Sequence, residues 1–163
     1  MFKTVIMKKV LPLLFLTGLA FSCTNETDPG LGQADYVVFG IAFGECIGDC
    51  ITIFRVSELR LEEDTNSQYL TNDFQFVPSR VLNDSQLNEA RKLLHSIPGD
   101  LMQNPADRYG CPDCRDQGGI YIQYKIQGEL KKVVIDPDDT DDQSQAIISF
   151  KEEVLTLIEA FRD

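Results

Sequence analysis

Apolar positions along this chain follow three spacings, and each predicts a different kind of element. Close to Met1, residues 10–21 are apolar apart from Pro12, Thr17 and Gly18, and Lys3, Lys8 and Lys9 precede them. A run of roughly a dozen residues cannot cross a hydrocarbon core that needs about 20. A basic start, a short apolar middle and small residues at its end predict a secretory signal peptide over residues 1–22. No later stretch is long and apolar enough to span a membrane. Residues 24–34 are polar and carry Pro29, Gly30 and Gly32, the composition of a flexible tether, so residues 23–34 are expected to link whatever precedes them to a domain over 35–163.

The second spacing is that of strands. Residues 36–43 (YVVFGIAF) and 51–56 (ITIFRV) are β-branched and aromatic, and the short segment between them suits a hairpin connection. Leu59 and Leu61 alternate with charged residues in 58–62, predicting a third strand with one wet face. Residues 74–77 (FQFV), stopped by Pro78, predict a fourth near an edge, because proline removes a ladder donor. Residues 120–126 and 130–135 predict a hairpin turning at Gln127-Gly128, with Ile120, Ile122, Tyr124 and Ile126 on one face.

The third spacing is helical. In residues 83–97 Leu87, Ala90, Leu93, Leu94 and Ile97 share a face; Asn83 and Gln86 form a capping-box pair, and Pro98-Gly99 ends the run. Near the C-terminus Ile147, Phe150, Val154, Leu157, Ile158 and Phe161 make a second stripe, with Asp142 as the expected cap. Residues 100–119 show little periodicity, and a loop of that length is usually functional or cross-linked. About six mainly antiparallel strands with two one-sided helices predict an α+β domain, both helices packed on one sheet face.

Charge narrows the partners. The chain carries a net −11, and removing residues 1–22 takes away three lysines and no acid, leaving −14. A field of this sign repels phosphate backbones, so nucleic-acid binding is disfavoured.

Residues 13–23 (LLFLTGLAFSC) end the apolar run on a small residue, Ser22, followed by Cys23. This ending resembles the lipobox of bacterial lipoproteins, in which cleavage falls just before a cysteine that then receives a lipid. The resemblance covers only about the first 25 residues. It implies that Cys23 is the acylated residue and that the protein is held on a membrane of the bacterial cell envelope, facing periplasm or cell surface. Ala20-Phe21-Ser22 also satisfies the small-x-small pattern of ordinary signal cleavage, which would release the protein instead.

Cysteine arithmetic fits the lipid reading. Five cysteines are an odd number for an exported chain, and setting Cys23 aside leaves Cys46, Cys50, Cys111 and Cys114. In an oxidising compartment these are expected to pair as structural disulfides, locally as Cys46–Cys50 and Cys111–Cys114, although four cysteines allow three connectivities. A four-thiolate zinc site is the alternative, but Cys46 and Cys50 are spaced C-x3-C where C-x2-C is usual. A dithiol redox site at Cys111-Pro112-Asp113-Cys114 is another, without the helix that normally lowers the reactive thiol's pKa.

Other chemistry is sparse. His95 is the only histidine and falls on the polar side of its helix beside Arg91 and Asn88, so any histidine-dependent triad must use it. The acidic run 136–142 (DPDDTDD) departs from the calcium-loop pattern at its sixth and twelfth positions, Asp141 and Ile147, and reads as a solvated turn with helix-capping acids. Glu45, Asp49, Asp113 and Asp116 flank the cysteines and would meet only if both loops leave the same end of the sheet. Together these features predict a non-enzymatic, lipid-anchored binding or structural domain with no cofactor, its partner a protein or small molecule met through the cysteine loops. A zinc or thiol-redox module on the same four cysteines stands as the alternative.

Overall fold

A computed structural model describes residues 33–44, 47, 50–65, 74–103 and 106–162. The expected signal segment, Cys23 and nearly all of the expected tether lie outside the described residues. So do Glu45, Cys46 and Asp49.

The fold is α+β, built on a seven-stranded mixed sheet. Its strands are β1 (Tyr36–Ala42), β2 (Ile51–Ser57), β3 (Leu61–Asp64), β4 (Arg80–Val81), β5 (Arg108–Tyr109), β6 (Gly119–Ile126) and β7 (Glu129–Ile135), in the order β4-β3-β2-β1-β6-β7-β5. Every pairing is antiparallel except β5 with β7, which is parallel. The helical segments are α1 (Asp84–Ala90), α2 (Leu93–Ser96), α3 (Gly99–Gln103) and α4 (Gln145–Phe161).

The long strands form where the apolar runs predict them. β1 lies at the centre, pairing β2 through Phe39↔Phe54 and β6 through Phe39↔Ile122. It is buried on both faces, which explains its near-continuous apolar sequence. β6 and β7 meet at Gln127-Gly128, both with positive φ (52° and 86°), the type I′ geometry that suits the right-handed twist of a two-residue hairpin.

One face of the sheet holds the main core. Val37, Phe39, Phe54, Val56, Leu61, Ile120, Ile122 and Tyr124 pack there against the stripes of α1, α2 and α4. Phe54 contacts Phe39 and Phe161, each with ring centroids 5.6 Å apart. The Tyr124 hydroxyl donates to the Leu101 carbonyl, and burial, with Tyr109 nearby, pushes its pKa up to about 12. Ala34, at the end of the expected tether, is buried in this core, its N–H bonded to the Leu94 carbonyl at 3.0 Å.

Several expectations need correction. The third strand begins at Leu61, not Glu58. Glu58 and Leu59 instead form the tip of a tight turn closed by Ser57 N–H to Arg60 O, leaving Leu59 83% exposed. Residues 74–77 are not a strand. The Val77 N–H goes to the Asp64 carboxylate rather than into a ladder, and the edge is instead the two-residue β4 beyond Pro78. The first helix is interrupted at Arg91–Lys92, where the bonds tighten to Leu94 N–H→Arg91 O and His95 N–H→Lys92 O. Its predicted stripe is buried all the same. The aperiodic stretch 100–119 contains part of α3 and all of β5. The parallel β5 makes the sheet mixed, and its pairing lies 26 residues away in sequence, beyond the reach of local periodicity.

Candidate functional site

Both cysteine loops leave the same end of the sheet. Ala42 pairs with Ile51 and with Gly119, and Ile120 with Ile135. The segment after β1, the cysteine loop before β6 and the acidic segment after β7 therefore emerge together. The loop ends thus satisfy the condition for their acids to meet; Glu45 and Asp49 lie outside the described residues, and Asp113 is spent on backbone donors.

One Asp113 carboxylate oxygen accepts the Gly44 N–H at 2.8 Å, across 69 residues, and the other accepts the Gly118 N–H at 3.2 Å. The side chain thus ties one loop to the other. Gly118 sits at φ +77°, and a Cβ there would fall 2.7 Å from the Phe43 ring and 2.8 Å from the Ala42 carbonyl, so glycine is needed for the close approach. Asp116 is exposed.

The acidic turn is organised in the same way. Asp136 accepts from Cys111 N–H at 2.8 Å, from Asp138 N–H at 3.0 Å and from the Gln117 amide at 3.3 Å. Its burial raises the pKa, but these donors and the Lys151 charge outweigh that and hold it below the ordinary carboxylate value. Asp142 accepts the Gly110 N–H at 2.8 Å and the Thr140 hydroxyl, which lower its pKa as well. The expected cap role falls to Ser144, whose hydroxyl accepts the Ile147 N–H.

At the centre of the turn is a cation supplied by the chain. Lys151, only 2% exposed on α4, places its ammonium 3.0 Å from the Asp138 carbonyl and 2.7 Å from both Asp139 Oδ1 and Gln143 Oε1. Gln143 in turn donates to the Asp136 and Asp138 carbonyls. The run of acids therefore wraps a lysine.

Cys111 and Cys114 are joined as a disulfide with Cα atoms 5.5 Å apart, and both residues are exposed. Of the three connectivities open to the four cysteines, only the local one contains this bridge. Cys50 is disulfide-bonded as well, while Cys46, to which the local reading assigns it, lies outside the described residues. As a bonded pair, Cys111 and Cys114 offer no thiolate to a metal. Among the described residues no three His, Cys, Asp or Glu side chains are grouped to hold a metal ion. His95 is exposed on its helix.

Comparison with protein-family models, with curated proteins and with solved structures found no match.

The geometry shows a second region that sequence reasoning missed. On the sheet face away from the helices, Val38 and Ile53 form a small cluster with Tyr36, Ile51, Phe74, Phe76 and Tyr121 half-buried against it. Phe74 stacks near Tyr121 at 5.8 Å between centroids. Arg55 lies 4.6 Å over the Phe76 ring while pairing with Glu62 at 2.7 Å, and Lys132 lies 5.1 Å over Phe74. Two clefts open here. One of about 340 Å³ runs between Phe74, Tyr121 and Arg108, and one of about 450 Å³ between Tyr36, Arg55 and Phe76. The signal was present in the alternation of residues 120–126, which sets Tyr121, Gln123 and Lys125 opposite the core-facing positions.

Proposed function

We propose that the protein is exported, anchored to a membrane of the bacterial cell envelope through lipid on Cys23, and serves there as a non-enzymatic binding domain stapled by two disulfides, Cys46–Cys50 and Cys111–Cys114. The observation that carries the reading is the exposed Cys111–Cys114 bridge, because a bonded pair persists where oxidants dominate and is reduced where glutathione does. The short apolar run ending at Cys23 supports it independently. Among the described residues no helix is long and apolar enough to cross a membrane. The non-enzymatic reading is favoured by the carboxylates of the cysteine end: Asp113, Asp136 and Asp142 are held by backbone N–H groups, a role that fixes loops.

A thiol-redox role at Cys111–Cys114 is the second reading, favoured by the exposure of both residues next to Arg115. Intact-mass analysis of the protein from its native host tests the first. The expected species begins at Cys23, carries acyl mass, and yields four thiols only after reduction. A chain that begins at Met1 without acyl mass overturns the reading. Equilibration with a dithiol couple tests the second: a bridge that resists mild reductant argues for a staple, and one that opens readily argues for redox exchange.

A further inference from the structure

The cleft of about 340 Å³ on the open sheet face has apolar walls and a charged rim. Phe74, Tyr121 and Val134 line it, with Arg108, Lys132 and Asp107 around them. Its volume falls at the small end of the range for organic ligands. In a chain with a net −11, cations outnumber acids among the residues lining this cleft. Arg108 is exposed on the two-residue β5, and a guanidinium offers two parallel N–H groups that match a carboxylate. The Lys132 ammonium, over the Phe74 ring, adds a second positive charge at the same opening. Burial and the Asp113 charge raise the Tyr121 pKa against the opposing effect of Arg108, so its hydroxyl stays protonated near neutral pH.

We propose that this cleft binds a small organic carboxylate with a single aromatic or branched aliphatic body, the body between Phe74, Tyr121 and Val134 and the carboxylate on Arg108 and Lys132. The proposal rests on the binding-domain reading and names its ligand class. Because the cleft belongs to the folded domain, its test is independent of whether the lipid is present.

The test titrates the purified full chain in detergent with phenylacetate, 2-phenylethanol and phenethylamine, three probes that share a ring and differ in charge. Phenylacetate is expected to bind at least about tenfold more tightly than the alcohol, and the amine more weakly than either. Arg108→Gln, on an exposed edge, is expected to weaken phenylacetate at least about tenfold with an unchanged melting temperature, and Lys132→Gln by a smaller factor. Phenylacetate that binds no better than the alcohol, or not at all at millimolar concentration, overturns the proposal. So does an amine that binds as well as the acid, or an Arg108→Gln variant that titrates like the parent. The three-probe comparison decides the matter without any variant. A chain found by mass analysis to lack acyl mass, yet binding phenylacetate as expected, would remove the anchor and leave the cleft assignment standing.

Discussion

The two faces of the same sheet are finished in different ways. Against the helices, Val37, Phe39, Phe54, Val56 and Leu61 are fully buried and meet α1, α2 and α4 in one continuous core. On the other face, among the described residues, the buried apolar cluster is Val38 and Ile53 alone. Their cover is an irregular segment carrying Phe74 and Phe76, with arginine and lysine laid over the rings. The first face gains stability from apolar burial, with the Tyr124 hydroxyl satisfied by the Leu101 carbonyl. The second keeps clefts open among half-exposed aromatics, an arrangement suited to a reversible contact. The cysteine end differs from both, since backbone N–H groups meeting carboxylates hold it rather than apolar contact.

The sharpest way to break this comparison is to truncate a ring on each face. Phe54→Ala removes a buried ring that touches Phe39 and Phe161, and is expected to cost about 3–5 kcal/mol in urea unfolding. Phe76→Ala, at a half-buried ring, is expected to cost about 1 kcal/mol. Equal losses would mean that both faces are core, and the clefts would then be packing gaps.

A smaller effect is expected at the cysteine end. Lys151→Met keeps the aliphatic stem but leaves the Asp138 carbonyl and Gln143 without their cation. Since Asp139 is 65% exposed and can turn to water, the expected cost is about 2 kcal/mol, measured the same way. A variant as stable as the parent would show that the acidic turn holds itself without the lysine.

The smallest effect is a pH dependence. Asp136 and Asp142 have pKa values lowered in the folded state, so their contribution is complete above the ordinary carboxylate value and drains as the pH falls through it toward the folded value. The urea midpoint is expected to hold from pH 7 to about 5 and to fall below about pH 4, with a shallower fall in Asp136→Asn. An unchanged acid slope in that variant would remove Asp136 from the account.

Much of this was legible in the chain. The stripes Leu87–Ala90–Leu93–Leu94–Ile97 and Ile147–Phe150–Val154–Leu157–Ile158–Phe161 predicted the buried helix faces, and every residue of both is buried. The alternation in β6 placed Ile120, Ile122 and Tyr124 against the core, and the Asn83–Gln86 capping box formed as its spacing implied. Residues 74–77 misled because aromatic and β-branched residues suit any half-buried surface. There they cover the sheet without joining it. Lys151 gave no signal, since a lysine beside an apolar stripe ordinarily extends its ammonium to water.

The amino-acid sequence by itself determined the long strands β1, β2, β6 and β7 and the apolar stripes of the helices, because hydrophobic periodicity, caps and the Gln127-Gly128 turn act over a few neighbouring positions. Only the tertiary structure decided that Asp113 would hold Gly44, that β5 would run parallel to β7, and that the acids of 136–142 would enclose Lys151. Those outcomes depend on hydrogen-bond donors and acceptors that become neighbours only after the sheet has brought its loops to one end.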